Sequence, residues 1–319
     1  MAGSYRMIEG VVVLAAMVAA GPVVALLSGD VYQLAVFERA LIYAVAAASL
    51  NMILGFGGMV SFGHAVYLGI GCYATGILAN ADILPIWIQL PVVMAASALV
   101  ALFIGLIVLR TSGVYFIMIT LALAQIFYYL AVSSSYFGGD DGMVINERTT
   151  LLWGYDPFDS WHFYFFVAGV TVLCLLLVNH LVRSDFGRRL VACRENPTRA
   201  TALGFNVFAV RLVGFVLAGV ICGIAGFLLA NQAEFATPGY ASWQRSGELL
   251  VIVILGGVGT RFGPVYGAFA FVLLESVLAG YTTHWPILFG PFLICVVMFF
   301  HKGLAGLVDR LIPGRARAR

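Results

Sequence analysis

Long apolar stretches, separated by short polar segments, run along almost the whole chain of 319 residues. A membrane-spanning helix needs about 20 predominantly apolar residues, and most of these stretches approach or exceed that length. The candidate spans are 8–28, 34–54, 63–80, 86–109, 112–133, 161–182, 208–231, 247–260, 264–281 and 285–300. The pattern predicts an all-α, polytopic integral membrane protein of about ten transmembrane helices, with 1–319 as a single membrane domain.

Two glycine-rich segments break this apolar pattern, one early and one about two hundred residues later. Irregular backbone at membrane depth is tolerated only where protein covers it or where it lines a water-filled cavity. Paired Gly/Pro interruptions in the two halves of a transporter point to its substrate route. We therefore predict a transport protein whose hinge glycines allow positive φ angles and close helix packing. They are Gly57, Gly58 and Gly63 in the first segment and Gly256, Gly257, Gly259 and Gly263 in the second.

Composition agrees with this interpretation and the basic residues orient the chain. Apolar residues make up 62% and charged residues 10% of the sequence, against about 45–50% and about 25% in soluble domains. Basic residues favour the cytoplasmic side, and they cluster in 183–211 and in 302–319. This predicts both termini in the cytoplasm and a periplasmic loop at 134–160. Arg39, Arg148 and Arg245 are exceptions, because each is assigned to the outside.

The first span has a second interpretation as a cleaved signal peptide, because Arg6 precedes an apolar run. That run is longer than the usual signal core of about 7–15 residues, which favours an uncleaved span. Cleavage would leave the later topology unchanged.

Several kinds of chemistry lack their sequence signatures. The chain has no GxxxxGK[ST] phosphate loop, no HExxH, no GxSxG and no arginine repeat within a span. Its five cysteines show no CxxC or metal spacing. We expect no enzyme activity, no catalytic residue, no metal, no cofactor and no nucleic-acid partner. The basic clusters flank membrane spans, which suits topology and contact with anionic lipid.

The polar segment 183–207 has the pattern of a short cytoplasmic helix. Asn196 is a good N-cap, Pro197 suits the first helical position and Gly204 suits the C-terminal cap. From the residues alone, docking to another protein and lying on the membrane surface remain equally open. The residues singled out here are Phe186, Gly187, Arg188, Arg194, Glu195, Asn196 and Gly204.

The first break carries a recognisable motif. The stretch from Asn51 to Ala65, NMILGFGGMVSFGHA, followed by Gly69-Ile70-Gly71-Cys72-Tyr73, resembles branched-chain amino acid ABC importer permeases of the M type (LivM-like). Further matches are Gly138–Gly142, the Arg194–Gly204 loop, Ser246–Ala268 and Lys302–Leu307. The likeness covers roughly 40–308.

This resemblance implies an ATP-driven importer in a bacterial inner (plasma) membrane. The chain would pair with a second, H-type permease, above two ATP-binding cassette subunits and below a periplasmic substrate-binding protein. The 183–207 segment would be the ATPase-coupling loop, and ATP would be used by the partner subunits. Expected substrates are leucine, isoleucine and valine, while urea, amides or aromatic acids remain open.

Six polar residues within or beside spans are candidates for the translocation pathway or gate: Asn51, Ser61, His64, Gln125, Glu248 and Glu275. Each has a structural alternative. Asn51 and Ser61 are suited to bonding freed backbone groups at the break, and His64 to holding it. For Gln125 the alternative is a hydrogen bond between helices. For Glu248 it is an interfacial anchor.

Glu275 lies well inside a span, where a charge costs about 2.5–3.5 kcal/mol. Such a residue faces a cavity or an oppositely charged partner, is protonated, or reaches toward the outer end of its helix.

Two rival functions are weighed against the importer. An ion-coupled secondary transporter would bury coupling carboxylates at mid-membrane, for which Glu275 is a lone candidate. A passive channel would need a filter or pore-lining ring, and no such repeat appears in the sequence. Under the predicted topology both breaks lie toward the cytoplasm before an outward-going span. They are therefore at least as well suited to be hinges as a substrate cradle.

Overall fold

The computed structural model describes residues 15, 17–27, 29–30, 32–150, 159–281, 284, 287, 289–291 and 303–306. Within these residues the chain is a helical bundle with one two-stranded sheet. The helices are α1 (Met17–Leu27), α2 (Tyr32–Asn51), α3 (Ala65–Asn80), α4 (Ile86–Val108), α5 (Val114–Ser133), α6 (Ser160–Arg183), α7 (Asp185–Glu195), α8 (Pro197–Ala202), α9 (Val207–Ala233), α10 (Trp243–Gly256) and α11 (Gly263–Tyr281). Shorter elements are a π-helical turn (Met52–Phe56), two 3₁₀ turns (Ser135–Phe137 and Pro238–Ala241) and strands β1 (Met143–Val144) and β2 (Phe235–Ala236).

Six segments of the described residues are helical, long and apolar enough to cross a membrane: α2 with its π-turn, α4, α5, α6, α9 and α11. Two shorter apolar helices, α1 and α3, accompany them. The all-α multi-pass fold is thus confirmed, whereas the count of about ten spans and the placement of both termini remain predictions. The candidate span 285–300 and the basic residues of 302–319 fall largely outside the described residues. Part of span 8–28 and the middle of loop 134–160 do so too.

The boundaries of one predicted span are wrong. The range 247–260 is in fact helical from Trp243 to Gly256. The helix starts earlier because Ser242 caps it, its Oγ accepting a hydrogen bond from the Arg245 N–H at 3.3 Å. It ends at Gly256 because Gly257 turns the chain with a φ of 113°.

Helix α2 lies at the centre of the bundle. It packs against α6, α9, α10 and α11, and it is buried on every side over most of its length. An apolar helix without a polar face suits such a position. Helices α4, α5 and α6 instead expose large apolar side chains such as Leu99, Phe103 and Leu173, which in a bilayer would be covered by lipid or by another subunit.

Small residues bring α3 and α9 into close contact. A Cβ atom added to Gly226 of α9 would lie 3.0 Å from the Cα of Gly71 in α3. The Cys72 thiol donates to the Gly226 carbonyl across this contact, with 3.2 Å between Sγ and O. Gly223 likewise brings α9 against the side chain of Ser97 in α4. These contacts follow the small-residue packing that drives helix association in membranes.

The described part of loop 134–160 is fixed to the bundle. Strand β1 pairs antiparallel with β2, with Met143 opposite Ala236. The Thr149 N–H donates to Asn231 Oδ1 at 2.8 Å, and its hydroxyl donates to Gln89 Oε1 at 2.5 Å. The Gly/Asp run at 138–142 forms turns with positive φ angles, as its composition indicates. The described part of the loop therefore covers the ends of α4 and α9.

We expect Gly226→Val to destabilise the bundle by about 1–3 kcal/mol, because the added methyl groups overpack the α3–α9 contact. The measurement is the thermal unfolding midpoint of the protein purified in detergent. Gly169→Val in α6 is the matched control, because a Cβ there meets nothing within 4 Å among the described residues. An equal loss of stability in both variants would show that the low helix propensity of valine, and not close packing, causes the effect.

Candidate functional site

The two glycine-rich breaks lie in direct contact, although they are far apart in sequence. A Cβ atom added to Gly55, in the π-turn that ends the first broken helix, would lie 2.5 Å from the backbone nitrogen of Gly259. Gly259 belongs to the second break and has a φ of 73°. This approach requires glycine at both positions, because one lacks room for a side chain and the other has a left-handed backbone.

Asn51 of α2 binds the second break with both ends of its amide. Its Nδ2 donates to the Thr260 carbonyl and its Oδ1 accepts from the Gly259 N–H, each at 2.8 Å. The side chain is buried. A carboxamide both donates and accepts, as a peptide group does, so Asn51 replaces the helical partners that the break removes.

The first break receives two of its partners from other helices and one from its own segment. The Ala65 N–H, at the start of α3, donates to Ser246 Oγ of α10 at 3.0 Å. The Phe62 N–H donates to Thr120 Oγ1 of α5 at 3.2 Å, and the Gly63 N–H to Ser61 Oγ at 3.3 Å. Each broken helix therefore supplies a side chain that satisfies backbone groups of the other, α2 through Asn51 and α10 through Ser246.

His64 is fully buried between the first break and α9. Its Nε2 lies 2.8 Å from Ser49 Oγ, and the Ser49 hydroxyl proton is already directed to the Ala46 carbonyl at 2.7 Å. This assigns the imidazole proton to Nε2. The ring also packs edge-to-face on Tyr67, with 5.5 Å between ring centres. The arrangement holds the break in place and keeps the ring away from solvent.

Arg194 connects the α7 helix to the first break. Its Nη1 donates to the Gly55 carbonyl, and its side-chain stem passes over Gly58, where an added Cβ would lie 2.7 Å from the Arg194 Cγ. Gly303, from the C-terminal part of the chain, approaches the second break at Gly257. We call this meeting point the break junction and define it by Asn51, Gly55, Gly58, Arg194 and Gly259.

The remaining predicted hinge glycines lie around this junction. Gly57 follows the π-turn, Gly257 has positive φ, and Gly63 abuts the backbone of Thr120. Gly256 and Gly263 face each other across the second break.

The predicted helix after Asn196 is present and is preceded by a second one. Asn196 Oδ1 accepts from the Arg199 N–H at 2.8 Å, Pro197 occupies the first turn of α8, and Gly204 has a φ of 85°. These caps are confirmed. The preceding segment forms a helix of its own, α7, whereas the cap residues of the sequence predicted only the helix after Asn196.

Helices α7 and α8 follow each other directly, with polar residues outside and small or apolar residues inside. Arg188 is exposed and pairs with Asp185, and residues 194–199 are all exposed. Phe186 is half-buried, and Gly187 packs on the backbone of Val182. Burial raises the pKa of the Cys193 thiol, and nearby Arg211 partly opposes that shift. The thiol therefore stays protonated and inert at neutral pH.

A cavity of about 770 Å³ lies at the other end of α2. We call this space the charged cavity. It is distant from the break junction, because Arg39 in its lining and Asn51 at the junction are about 18 Å apart along α2, at about 1.5 Å per residue. Its lining residues are Tyr32, Ala35, Val36, Arg39, Tyr43, Leu229, Gln232, Ala233, Tyr240, Arg245, Val272, Glu275, Ser276, Ala279 and Gly280.

Both predicted glutamates form ion pairs at this cavity. Glu275 accepts from Arg39 through both carboxylate oxygens, at 2.7 and 2.6 Å. Glu248 pairs with Arg245 one turn earlier on α10 at 2.5 Å. Arg245 also donates to the Tyr43 hydroxyl at 2.8 Å. Sequence reasoning noted Arg39 and Arg245 only as topological exceptions. Their signal was the presence of isolated arginines and glutamates in otherwise apolar helices.

The third exception is paired as well. Arg148 lies 2.7 Å from Glu234, outside the charged cavity. All three arginines that disagree with the charge rule thus have a carboxylate partner, which lowers the cost of their position.

The structure sorts the six predicted polar residues into three places. Asn51, Ser61 and His64 lie at or beside the break junction, and Glu248 and Glu275 form the ion pairs of the charged cavity. Gln125 of α5 lies at neither and is partly exposed.

A helical bundle of several apolar spans, with two mutually capped breaks and a charged cavity, has the architecture of a membrane permease. The chain belongs to the family described as "Branched-chain amino acid transport system / permease component", whose model matches residues 32–301. It is a permease subunit, as its motifs indicate.

Three relatives illustrate this membership. The high-affinity branched-chain amino acid transport system permease protein LivM of Salmonella typhimurium is 26% identical over 83% of this chain and 68% of its own length. The autoinducer 2 import system permease protein LsrC of Yersinia enterocolitica is 24% identical over 87% of this chain and 70% of its own. The probable LivH permease of Methanocaldococcus jannaschii is 27% identical over 81% and 85%. No solved structure matches the chain.

We expect Asn51→Leu to lower the free energy of unfolding by about 1–3 kcal/mol, because a Gly259 N–H and a Thr260 carbonyl lose their partner in a partly buried position. Thermal unfolding of the purified protein measures the effect. Asn80→Leu is the matched control, because the Asn80 side chain makes one exposed bond to the Val144 carbonyl. Comparable stability of the two variants would mean that the breaks do not depend on the Asn51 amide.

Proposed function

We propose that this chain and a second, similar permease together form the transmembrane path of an ATP-driven importer for the branched-chain amino acids leucine, isoleucine and valine. The observation that carries the proposal is the Arg194 contact, which joins an exposed pair of short helices to the glycine break inside the bundle. A transporter driven by a separate ATPase needs such a connection between its docking surface and its moving spans.

The exposed pair α7 and α8 is the proposed docking site for an ATP-binding cassette subunit. Asn196 caps α8 at the turn between the helices, Gly204 follows the end of α8, and Arg194 carries displacement of the pair to Gly55. One ATPase subunit would dock on this chain and one on the second permease. ATP is bound and hydrolysed on those subunits, so this chain needs no cofactor and no catalytic residue.

The basic character of 183–211 supports a cytoplasmic position for this docking site in the inner (plasma) membrane. The charged cavity and loop 134–160 would then face the periplasm, where a substrate-binding protein would deliver the amino acid. The ordered strand pairing of β1 with β2 gives that loop a fixed shape for such contact.

The choice of substrate rests on the family description and on the names of the LivM and LivH relatives. The LsrC relative shows that similar permeases occur in importers of a different solute. The rival ion-coupled mechanism has less support, because Glu275 is held in a two-bond ion pair by Arg39 and is not an isolated carboxylate.

Reconstitution tests the proposal. We expect the chain, assembled with its second permease and ATPase subunits in proteoliposomes, to take up labelled leucine only with ATP and a loaded binding protein. Arg194→Gln should lower this uptake about tenfold while ATP hydrolysis continues, because the docking helices lose their bond to the first break.

Arg110→Gln is the control, because Arg110 is an exposed arginine in the turn between α4 and α5. Uptake that persists without ATPase subunits or binding protein would refute the importer. Equal uptake by the Arg194→Gln and parent proteins would refute the coupling role of Arg194.

Docking on α8 predicts protection of a cysteine placed there. We expect Thr198→Cys to react rapidly with a water-soluble maleimide in the isolated permease pair, and about tenfold more slowly after the ATPase subunits bind. Cys193 contributes little background, because it is buried and its pKa is raised. The rate is measured by mass spectrometry of the labelled chain.

Ser112→Cys, at an exposed position between α4 and α5, is the matched control for general effects of assembly. Equal protection at both positions would indicate unspecific shielding, and no protection of Thr198→Cys would place the docking surface elsewhere.

A further inference from the structure

The charged cavity combines acidic, basic and aliphatic groups in one space. Arg39, Arg245 and Glu275 line it together with Val36, Leu229 and Val272. Its volume of about 770 Å³ lies within the range of small-molecule sites, about 300–1,000 Å³. None of the comparisons assigns it a role.

The charged side chains are partly accessible and lie close together. The exposed fractions are 36% for the Arg39 side chain and 17% for Glu275. The guanidinium groups of Arg39 and Arg245 both lie near the Tyr43 ring, with their Cζ atoms 5.5 Å and 5.8 Å from the ring centre. The two cations and the Glu275 carboxylate therefore share one wall of the cavity.

From this geometry we propose that the charged cavity is a transit site for a zwitterionic amino acid, with Glu275 accepting the substrate ammonium and Arg39 and Arg245 holding its carboxylate. The aliphatic side chain of the substrate would lie against Val36, Leu229 and Val272. This inference rests on the proposed import of branched-chain amino acids and names the part of the path that they contact.

Charge balance supports a zwitterion over an anion or a cation. The two arginines are neutralised by Glu275 and Glu248 when the cavity is empty. A zwitterion inserted between Arg39 and Glu275 adds one positive and one negative group, so every charge keeps a partner. An anion or a cation alone would leave one charge unpaired in a partly buried site, which is costly.

The ion pair between Arg39 and Glu275 also keeps the affinity of the cavity for substrate low. The substrate must compete with the bonds of Arg39 to Glu275, and those bonds form again when the substrate leaves. A transit site requires this balance, because a solute must enter readily and also depart.

The test uses the assembled importer in proteoliposomes with labelled leucine, ATP and binding protein. In Arg39→Gln/Glu275→Gln both charges are removed, so neither partner is left unpaired. We expect leucine uptake to fall about tenfold, while ATP hydrolysis stimulated by the loaded binding protein stays near the parent rate. The control is Arg110→Gln, which removes an exposed arginine between α4 and α5, outside the cavity, and should keep uptake near that of the parent.

A second measurement decides the question even if the double variant fails to assemble. Ser276→Cys places a thiol in the cavity lining without altering either ion pair. We expect a membrane-impermeant thiol reagent to modify it several-fold more slowly during turnover with leucine than without leucine. The described native cysteines are buried, and the parent protein serves as the blank.

The outcomes separate this inference from the proposed function. If the parent importer does not transport leucine, the proposed substrate is wrong. If the parent transports leucine but the Arg39/Glu275 variant does so equally well, the transit site is wrong. The transit site is also wrong if Ser276→Cys is modified at the same rate with and without leucine. That outcome includes the case in which a neighbouring subunit protects the thiol under both conditions.

Discussion

Every backbone N–H and carbonyl at membrane depth needs a hydrogen-bond partner, and this requirement organises the centre of the molecule. The chain interrupts two apolar helices, and each interruption removes helical partners. Asn51 then bonds the Gly259 N–H and the Thr260 carbonyl, while Ser246 accepts from the Ala65 N–H. Because each broken helix satisfies the other, the two breaks depend on each other. The two distant glycine motifs are therefore one structural unit.

This dependence gives the unit a mechanical consequence. Arg194 holds the first break at the Gly55 carbonyl, and the first break is joined to the second through Asn51. In the proposed importer, a displacement of α7 would reach both α2 and α11, which continue from the junction to Arg39 and Glu275. Glycine turns accommodate such a displacement more readily than continuous helices do. Movement at the docking helices would thus change the relation of the two charges that face the cavity.

The sequence predicted much of this arrangement where the signal was local. Glycine runs marked the breaks, apolar length marked the spans, and Asn196 with Pro197 marked the start of α8. The contact between the breaks was beyond such reasoning, because helix periodicity does not say which distant segments touch. Asn51 was expected to serve its own break, and it serves the other. Ser246 was identified only as part of a motif, because its bond to the distant Ala65 N–H leaves no local signal in the sequence.

The charged residues also show that the sequence does not reveal which distant residues are in contact. Considered singly, Arg39, Arg148 and Arg245 contradict the charge rule, and Glu275 is an unexplained carboxylate within a span. The pairs explain both the arginines on the outside and the carboxylate within a span, because each arginine has a glutamate within 2.7 Å. If these ion pairs served only stability, apolar residues of similar volume would stabilise the bundle equally well. Two of the three pairs nevertheless have members in the lining of a cavity, where Arg39, Arg245 and Glu275 remain reachable. That placement costs desolvation without adding packing, so we attribute it to the passage of solute and not to the stability of the bundle.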